Sequence, residues 1–312
     1  MRDTALCGRA TMKIGMVGLG RMGGNMAQRL ARRGHHVIGF DPGVRAEGEL
    51  IKKGFTSAAS LDALVRDLRA PRAIWLMIPA GTPVDDMIAA LAPLLAPEDM
   101  LIDGGNSYYK DSQRRAALLR PAGIDYIDVG TSGGIWGLAE GYSLMIGGAP
   151  DAVSRLRPIF EALAPAPDLG WGHVGPSGAG HFVKMLHNGI EYGMMQAYAE
   201  GFALMERKEE FALDLGQIAE IWRHGSVVRS WLLDLTAAAL RGNPTLAGIA
   251  PYVEDSGEGR WTVAEAIDLE VATPVITLAL MARLRSRDPV SFADKMLAAL
   301  RNAFGGHKLR KD

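Results

Sequence analysis

Lys184, His187, Asn188 and Glu191 lie in the stretch GHFVKMLHNGIEYG, residues 180–193. On a helix, offsets of 0, 3, 4 and 7 fall on one face at about 100° per residue. Phe182, Val183, Met185, Leu186 and Ile190 then take its flanks and back. A surface helix spreads its charge over a broad solvated side, whereas this is a narrow polar seam set into a core. A lysine and a glutamate seven apart, taken alone, would read as an ion pair. With a histidine and an asparagine on the same stripe, the geometry permits all four to serve one ligand.

A second constellation opens the chain. In IGMVGLGRMGGNMAQRL, Gly18, Gly20 and Gly23 form G-x-G-x-x-G directly after an apolar strand and at the start of an amphipathic helix. The glycines permit a tight turn, close backbone approach to a pyrophosphate, and close helix–strand packing, and the helix N-terminus offers open N–H groups to the anion. The next strand ends in Asp41, 18 residues after Gly23. A carboxylate there accepts hydrogen bonds from a ribose 2′-hydroxyl and repels a 2′-phosphate, which argues for NAD over NADP, with Arg45 nearby as the opposing feature.

Three more strand ends point to the same crevice, because ligands of open α/β sheets bind beyond the carboxyl ends of the strands. They are Pro79-Ala80-Gly81; Asn106, with Ser107 or Asp111 available to cap the following helix; and Ser132-Gly133-Gly134, whose backbone N–H groups are open to a carboxylate or hydroxyl.

The elements that must position these residues fall into two sets. Up to about residue 175, short apolar runs (KIGMVGLG, HHVIGFD, AIWLMIPAG, MLIDGGN, IDYIDVG, SLMIGG) alternate with helical patterns such as 21–33, 83–95 and 108–122. That alternation predicts an α/β fold: a Rossmann-like, doubly wound, mainly parallel sheet. Beyond it, helical patterns follow one another at 178–207, 214–224, 226–240, 262–268, 273–286 and 289–303, an all-helical domain. The expected division is a disordered leader at 1–11, a dinucleotide-binding domain at 12–176 and a helical substrate and dimerisation domain at 177–312. His35, His36 and His173 read as turn or surface residues.

Composition is compatible with this layout. At 312 residues and a net charge of −1, no global field favours nucleic acid or an anionic membrane, and 48% hydrophobic with 22% charged residues is ordinary for a globular protein. The single cysteine, Cys7, excludes an intrachain disulfide and a cysteine-based metal site and fits a reducing compartment, so a cytoplasmic location is expected. No apolar run reaches the roughly 18–20 residues that span a bilayer.

In order and spacing, GLGRMGGNM, DGGNSYYKDS, GTSGGIWGLAEGYSLMIGG, GHFVKMLHNGIEYGMMQ, GRWT and AFGGH resemble the 6-phosphogluconate dehydrogenases in their short bacterial form. The likeness covers Met12 to His307, and the run K-x-x-H-N-G-I-E-Y separates that family from the related β-hydroxyacid dehydrogenases. The resemblance implies oxidation and decarboxylation of 6-phosphogluconate to ribulose 5-phosphate in the pentose phosphate pathway, without a metal. The cofactor, NAD with NADP as the weaker alternative, would be held by Gly18, Leu19, Gly20, Arg21, Met22, Gly23, Asp41 and Asn106.

By the same resemblance Lys184 is the general base, its pKa lowered by burial, and Glu191 the acid that protonates C1 of the enediol. Asn106, Ser132, Gly133, Gly134, His187 and Asn188 grip the sugar acid. Tyr192, Arg260 (where the family commonly has lysine), Thr262 and Arg283 serve the phosphate, the choice among Arg283, Arg285 and Arg287 staying open. Arg301 and His307 would enter the neighbouring subunit's site in a dimer or tetramer. Pro79 replaces a family lysine, and KLRKD after His307 has no counterpart. The alternatives are a β-hydroxyacid dehydrogenase acting on an unphosphorylated acid, which leaves Glu191, Tyr192 and Arg260 without use, and a non-catalytic dinucleotide sensor, against which the Lys184–Glu191 stripe argues.

Overall fold

In a computed structural model, the structure describes residues 10–43 and 53–310. Arg45, Cys7 and most of the leader lie outside them. The chain divides into two compact bodies, one up to His187 and one from Asn188 onward.

The first body is built on an eight-stranded sheet: β1 Lys13–Val17, β2 His36–Phe40, β3 Thr56–Ser57, β4 Ala73–Leu76, β5 Met100–Asp103, β6 Asp125–Ser132, β7 Ser143–Gly147 and β8 Trp171–Gly175. The spatial order is β3-β2-β1-β4-β5-β6-β7-β8, and every pairing is parallel except the antiparallel β6–β7. The central strands β4 and β5 are buried throughout, as expected where helices cover both faces. One face packs Met26, Ala27 and Leu30 of helix Arg21–Arg32 together with Val153 and Phe160. The other packs Leu64, Val84, Ile88, Leu91 and Leu119 from the helices after β3, β4 and β5. The expected doubly wound α/β sheet is therefore present. The sequence runs did not include β3, which is two residues long, or β8, whose WGHVG carries two glycines.

The second body is helical: Leu215–Trp222, Trp231–Gly242, Glu258–Asp268, Pro274–Arg285 and Phe292–Gly305 follow the long helix Ala179–Arg207. Two boundaries differ from expectation by four residues or more. The segment 226–230 stays outside a helix because the Ser230 hydroxyl accepts the Leu233 N–H and starts the helix there. The helix expected at 262 begins four residues earlier, after Gly257 at φ 108°, so Arg260 and Thr262 belong to its opening turns. Phe202, Ala219, Leu233, Ala237 and Leu240 form one core cluster, and Tyr192, Ala279 and Leu280 another.

Candidate active site

The three fingerprint glycines divide their work. Gly18, at φ +90°, would with a Cβ meet the Met77 carbonyl and lie 2.9 Å from Ile78 Cγ2; a Cβ on Gly23 would fall on the Gly18 carbonyl oxygen. Both are therefore required by packing. A Cβ on Gly20 would meet nothing within 4 Å, so Gly20 keeps open the space in front of a helix N-terminus that no side chain caps. Arg21 is exposed and Met22 half-buried beside it. Asp41 Oδ2 accepts the Leu19 N–H at 2.8 Å and Oδ1 the Gly43 N–H at 2.8 Å. The carboxylate is thus tied to the glycine turn with lone pairs to spare. An open cradle, an uncapped helix start and a fixed carboxylate fit a dinucleotide.

Beyond β5, Asp103 is fully buried and organises the turn that carries Asn106. It accepts from Ser107 Oγ at 2.8 Å, Tyr126 Oη at 2.8 Å and Gly105 N at 3.1 Å, with Arg115 Nη1 3.4 Å away. Arg115, also buried, donates onward to Asp85 Oδ1 at 2.8 Å and to the Gly81 carbonyl at 3.0 Å. One ion network therefore joins the turns after β4 and β5. The hydrogen bond from Arg115 holds the Asp85 carboxyl below its usual range, and the same network raises Arg115 despite its burial. Desolvation in this cluster pushes the Tyr126 phenol well above its ordinary value. Ser107 is engaged here and Asp111 pairs with Arg114 at 3.3 Å, so neither caps the next helix, a correction to the sequence reading. Asn106 itself is exposed.

At the end of β6, Ser132 is half-buried, Gly133 has φ +131° and Gly134 φ +49°. Such angles favour glycine and turn the backbone sharply beyond the strand.

The long helix is seated on the same sheet by an acid and three glycines. Buried Asp128 of β6 accepts Gly178 N–H at 2.6 Å and His181 N–H at 2.9 Å, filling two of the open donors at the helix start. A Cβ on Gly180 would lie 2.5 Å from the Asp128 and Met145 carbonyl oxygens, and one on Gly147 would lie 2.6 Å from Asp128 Oδ1. A Cβ on Gly130 would strike that of Lys184. With glycine at these three positions the helix lies close on the strands, and Lys184 is 8% exposed. His187 is half-buried.

In the second body Asn188 and Glu191 are half-buried, while Ile190, expected against a core, is 57% exposed. Tyr192 is 6% exposed, and its hydroxyl is buried without a hydrogen-bond partner among the described residues. The Arg283 guanidinium lies over the Tyr192 ring and donates to the Glu254 carbonyl at 2.9 Å. Gly259 and Gly189 make room in this region: a Cβ on Gly259 would enter the Tyr192 ring, and one on Gly189 would lie 2.8 Å from Thr262 Cγ2. Arg260 is paired with Asp255 at 2.9 Å and Arg287 lies 3.7 Å from the same carboxylate, whereas Arg285 turns to Asp294. Arg301 and His307 are exposed.

The structure also presents groups that the sequence reading passed over. His35 is buried, and its Nδ1 lies 3.2 Å from Met12 N, which corrects its reading as a turn or surface residue. His181 and Asp128 went unnamed, although His181, three residues before Lys184, falls on the same helical face.

Residues 13–173 match the family described as the NAD binding domain of 6-phosphogluconate dehydrogenase, and residues 180–301 match its C-terminal domain. The NAD(+)-dependent, decarboxylating 6-phosphogluconate dehydrogenase of Haloferax volcanii is 43% identical over 303 residues, covering 96% of this chain and 100% of that protein. A solved 6-phosphogluconate dehydrogenase of Plasmodium falciparum aligns with a TM-score of 0.82 at 28% identity, over 96% of this chain and 66% of that one. A 3-hydroxyisobutyrate dehydrogenase of Salmonella typhimurium aligns with a TM-score of 0.73 at 23% identity, over 89% of this chain and 95% of that one; the likeness is one of fold.

Proposed function

This chain belongs to the 6-phosphogluconate dehydrogenase family, and from that premise we propose that Lys184 and Glu191 are its general base and acid and NAD its preferred oxidant. The activity is the oxidative decarboxylation of 6-phosphogluconate to ribulose 5-phosphate and CO₂ with a nicotinamide dinucleotide. A nicotinamide dinucleotide, when bound, would supply the hydride acceptor. Lys184 takes the proton of the C3 hydroxyl as C3 is oxidised, and then, as an ammonium, polarises the new carbonyl so that the electrons left by departing CO₂ collect on its oxygen. Glu191 delivers a proton to C1 of the resulting enediol. The observation that carries this reading is the buried Lys184, backed by a glycine strand at the start of a clamped helix.

Asn106, Ser132, Gly133, Gly134, His187 and Asn188 supply the hydrogen bonds to the sugar acid and its carboxylate, a set rich in donors and acceptors suited to a polyol. Tyr192, Arg260, Thr262 and Arg283 receive the phosphate; a cation stacked on a buried tyrosine whose hydroxyl has no hydrogen-bond partner among the described residues supports Arg283 over Arg285 and Arg287. Gly18, Leu19, Gly20, Arg21, Met22 and Gly23 cradle the pyrophosphate, with Asn106 beside the cofactor. The preference for NAD rests on Asp41, held by two backbone N–H groups at the end of β2. We keep the functional boundary at 176/177.

The working form is a homodimer or a multiple of it. Helix Phe292–Gly305 buries none of its residues, and Phe292 and Phe304 are 73% and 98% exposed, an apolar surface that a second copy would cover. Arg301 and His307, on and just after that helix, would complete the neighbour's site.

Initial rates with 6-phosphogluconate, comparing NAD and NADP at equal concentration while trapping CO₂, test the reading. Faster NADH formation with one CO₂ per NADH is expected. A preference for NADP overturns the Asp41 argument alone, and turnover of an unphosphorylated 3-hydroxy acid in place of 6-phosphogluconate overturns the substrate.

A further inference from the structure

His181 has no part in the chemistry above, yet it is 1% exposed and lies one helical turn before Lys184. Its Nδ1 is 2.7 Å from the Ser112 hydroxyl. Its Nε2 is buried without a hydrogen-bond partner among the described residues. Its backbone N–H is one of the two donors that end on Asp128. Beside it the Phe182 ring meets Tyr109 edge to face, with centroids 5.2 Å apart. Ser112 and Tyr109 both belong to helix Tyr109–Leu119, which starts three residues after Asn106.

We infer that His181 is a positioning residue: its hydrogen bond to Ser112 locks the first turn of the long helix to the helix behind the Asn106 turn, so that Lys184 and Asn106 are carried by one rigid piece. Burying an imidazole with one nitrogen unmatched is a poor way merely to fill space, because leucine or methionine would occupy it without stranding a polar atom. What the imidazole adds is a directional bond to a helix 69 residues away in the chain. Asp128 fixes the helix start to the sheet, and the Ser112 bond adds a second hold that resists its rotation. A base must be held to within a fraction of an ångström of its proton, so loosening this second hold costs rate before it costs binding. The inference depends on the dehydrogenase reading only for the role of Lys184; the linkage itself does not.

The test compares Ser112→Ala, His181→Leu, His181→Asn and the double variant Ser112→Ala/His181→Leu in the full chain. Ser112→Ala is expected to lower kcat about 10-fold and His181→Leu about 100-fold, with KM for both substrates within about twofold. His181→Asn, whose amide can reach Ser112, should recover at least about fivefold over His181→Leu. The double variant should be no slower than His181→Leu. A purely structural role would instead lower Tm in step with the active fraction while leaving kcat per active site and its pH profile unchanged, and that result overturns the inference, as does simple multiplication of the two single effects.

A second readout does not need turnover. Reductive methylation of Lys184, followed by peptide mass spectrometry, should be at least about threefold faster in Ser112→Ala and His181→Leu than in the parent. Equal rates overturn the inference. If the parent leaves 6-phosphogluconate untouched, the functional reading falls, and the methylation rates still decide whether His181 positions Lys184.

Discussion

The guanidinium carbon of Arg283 lies 3.5 Å from the centre of the Tyr192 ring, stacking a cation on a nearly buried phenol. The contact joins the helix Pro274–Arg285 to the long helix, Nη1 donates to the Glu254 carbonyl, and on the proposed reading the remaining N–H groups meet the phosphate. Arg283→Ala should raise KM for 6-phosphogluconate about 10–100-fold, the range of a charge-assisted hydrogen bond, with a much smaller effect on KM for the dinucleotide. Arg283→Lys should recover only part of it, because an ammonium keeps the charge and loses the flat fork. Steady-state kinetics with both substrates varied check the prediction, and an equal rise for Arg285→Ala would refute the choice of Arg283.

Asp41 orders the glycine turn, and on the proposed reading it faces the ribose. Asp41→Ser should raise KM for NAD about 10–100-fold and shift the NAD-to-NADP ratio of kcat/KM towards NADP, since a repelling carboxylate is removed. Part of the loss comes from freeing the Leu19 and Gly43 N–H groups. A ratio unchanged from the parent would show that another residue reads the 2′-position.

Lys184→Met and Glu191→Gln should each lower kcat by about 10²–10⁴, the usual worth of a positioned acid or base. Dissociation constants for the dinucleotide, measured by fluorescence quenching, should stay within a few-fold. An effect on KM alone would assign these groups to binding.

The network from Asp85 through Arg115 to Asp103 carries a pH signature. The Asp85 carboxyl is held low, chiefly by the hydrogen bond from Arg115. A lowered folded-state pKa gives stability that is complete above the ordinary carboxylate value near about pH 4 and is lost as pH falls through the lowered one. Asp85→Asn should therefore lower Tm at pH 7 by about 1–3 °C and flatten the acid limb of the Tm–pH curve below about pH 5. Arg115→Met should be far worse, costing about 3–5 kcal/mol, because it leaves buried Asp103 without its cation. Thermal melts from pH 3 to 8 separate the two.

Much of this was legible in the chain itself. The glycine fingerprint, Asp41 and the strand ends announce themselves because each depends on residues a few positions apart, and the seam from Lys184 to Glu191 follows from helical spacing alone. What stayed hidden depends on tertiary pairing. Nothing local says that Ser112 meets His181, or that Asp128 receives the first turn of a helix 50 residues on. Ser107 looks like a helix cap until Asp103 is seen to be buried beside it. The fate of Arg285 and Arg287 was undecidable from spacing, since their acidic partners Asp294 and Asp255 lie outside the helix Pro274–Arg285, which Arg285 ends and Arg287 follows.

Gly130, Gly147 and Gly180 together leave no room for a further side chain where the helix start and Asp128 meet the strands. A contact of that kind has no gradual variants: the smallest addition, a methyl, already collides. A methyl at any of the three positions would have to move strand or helix, and Lys184 is carried by that helix.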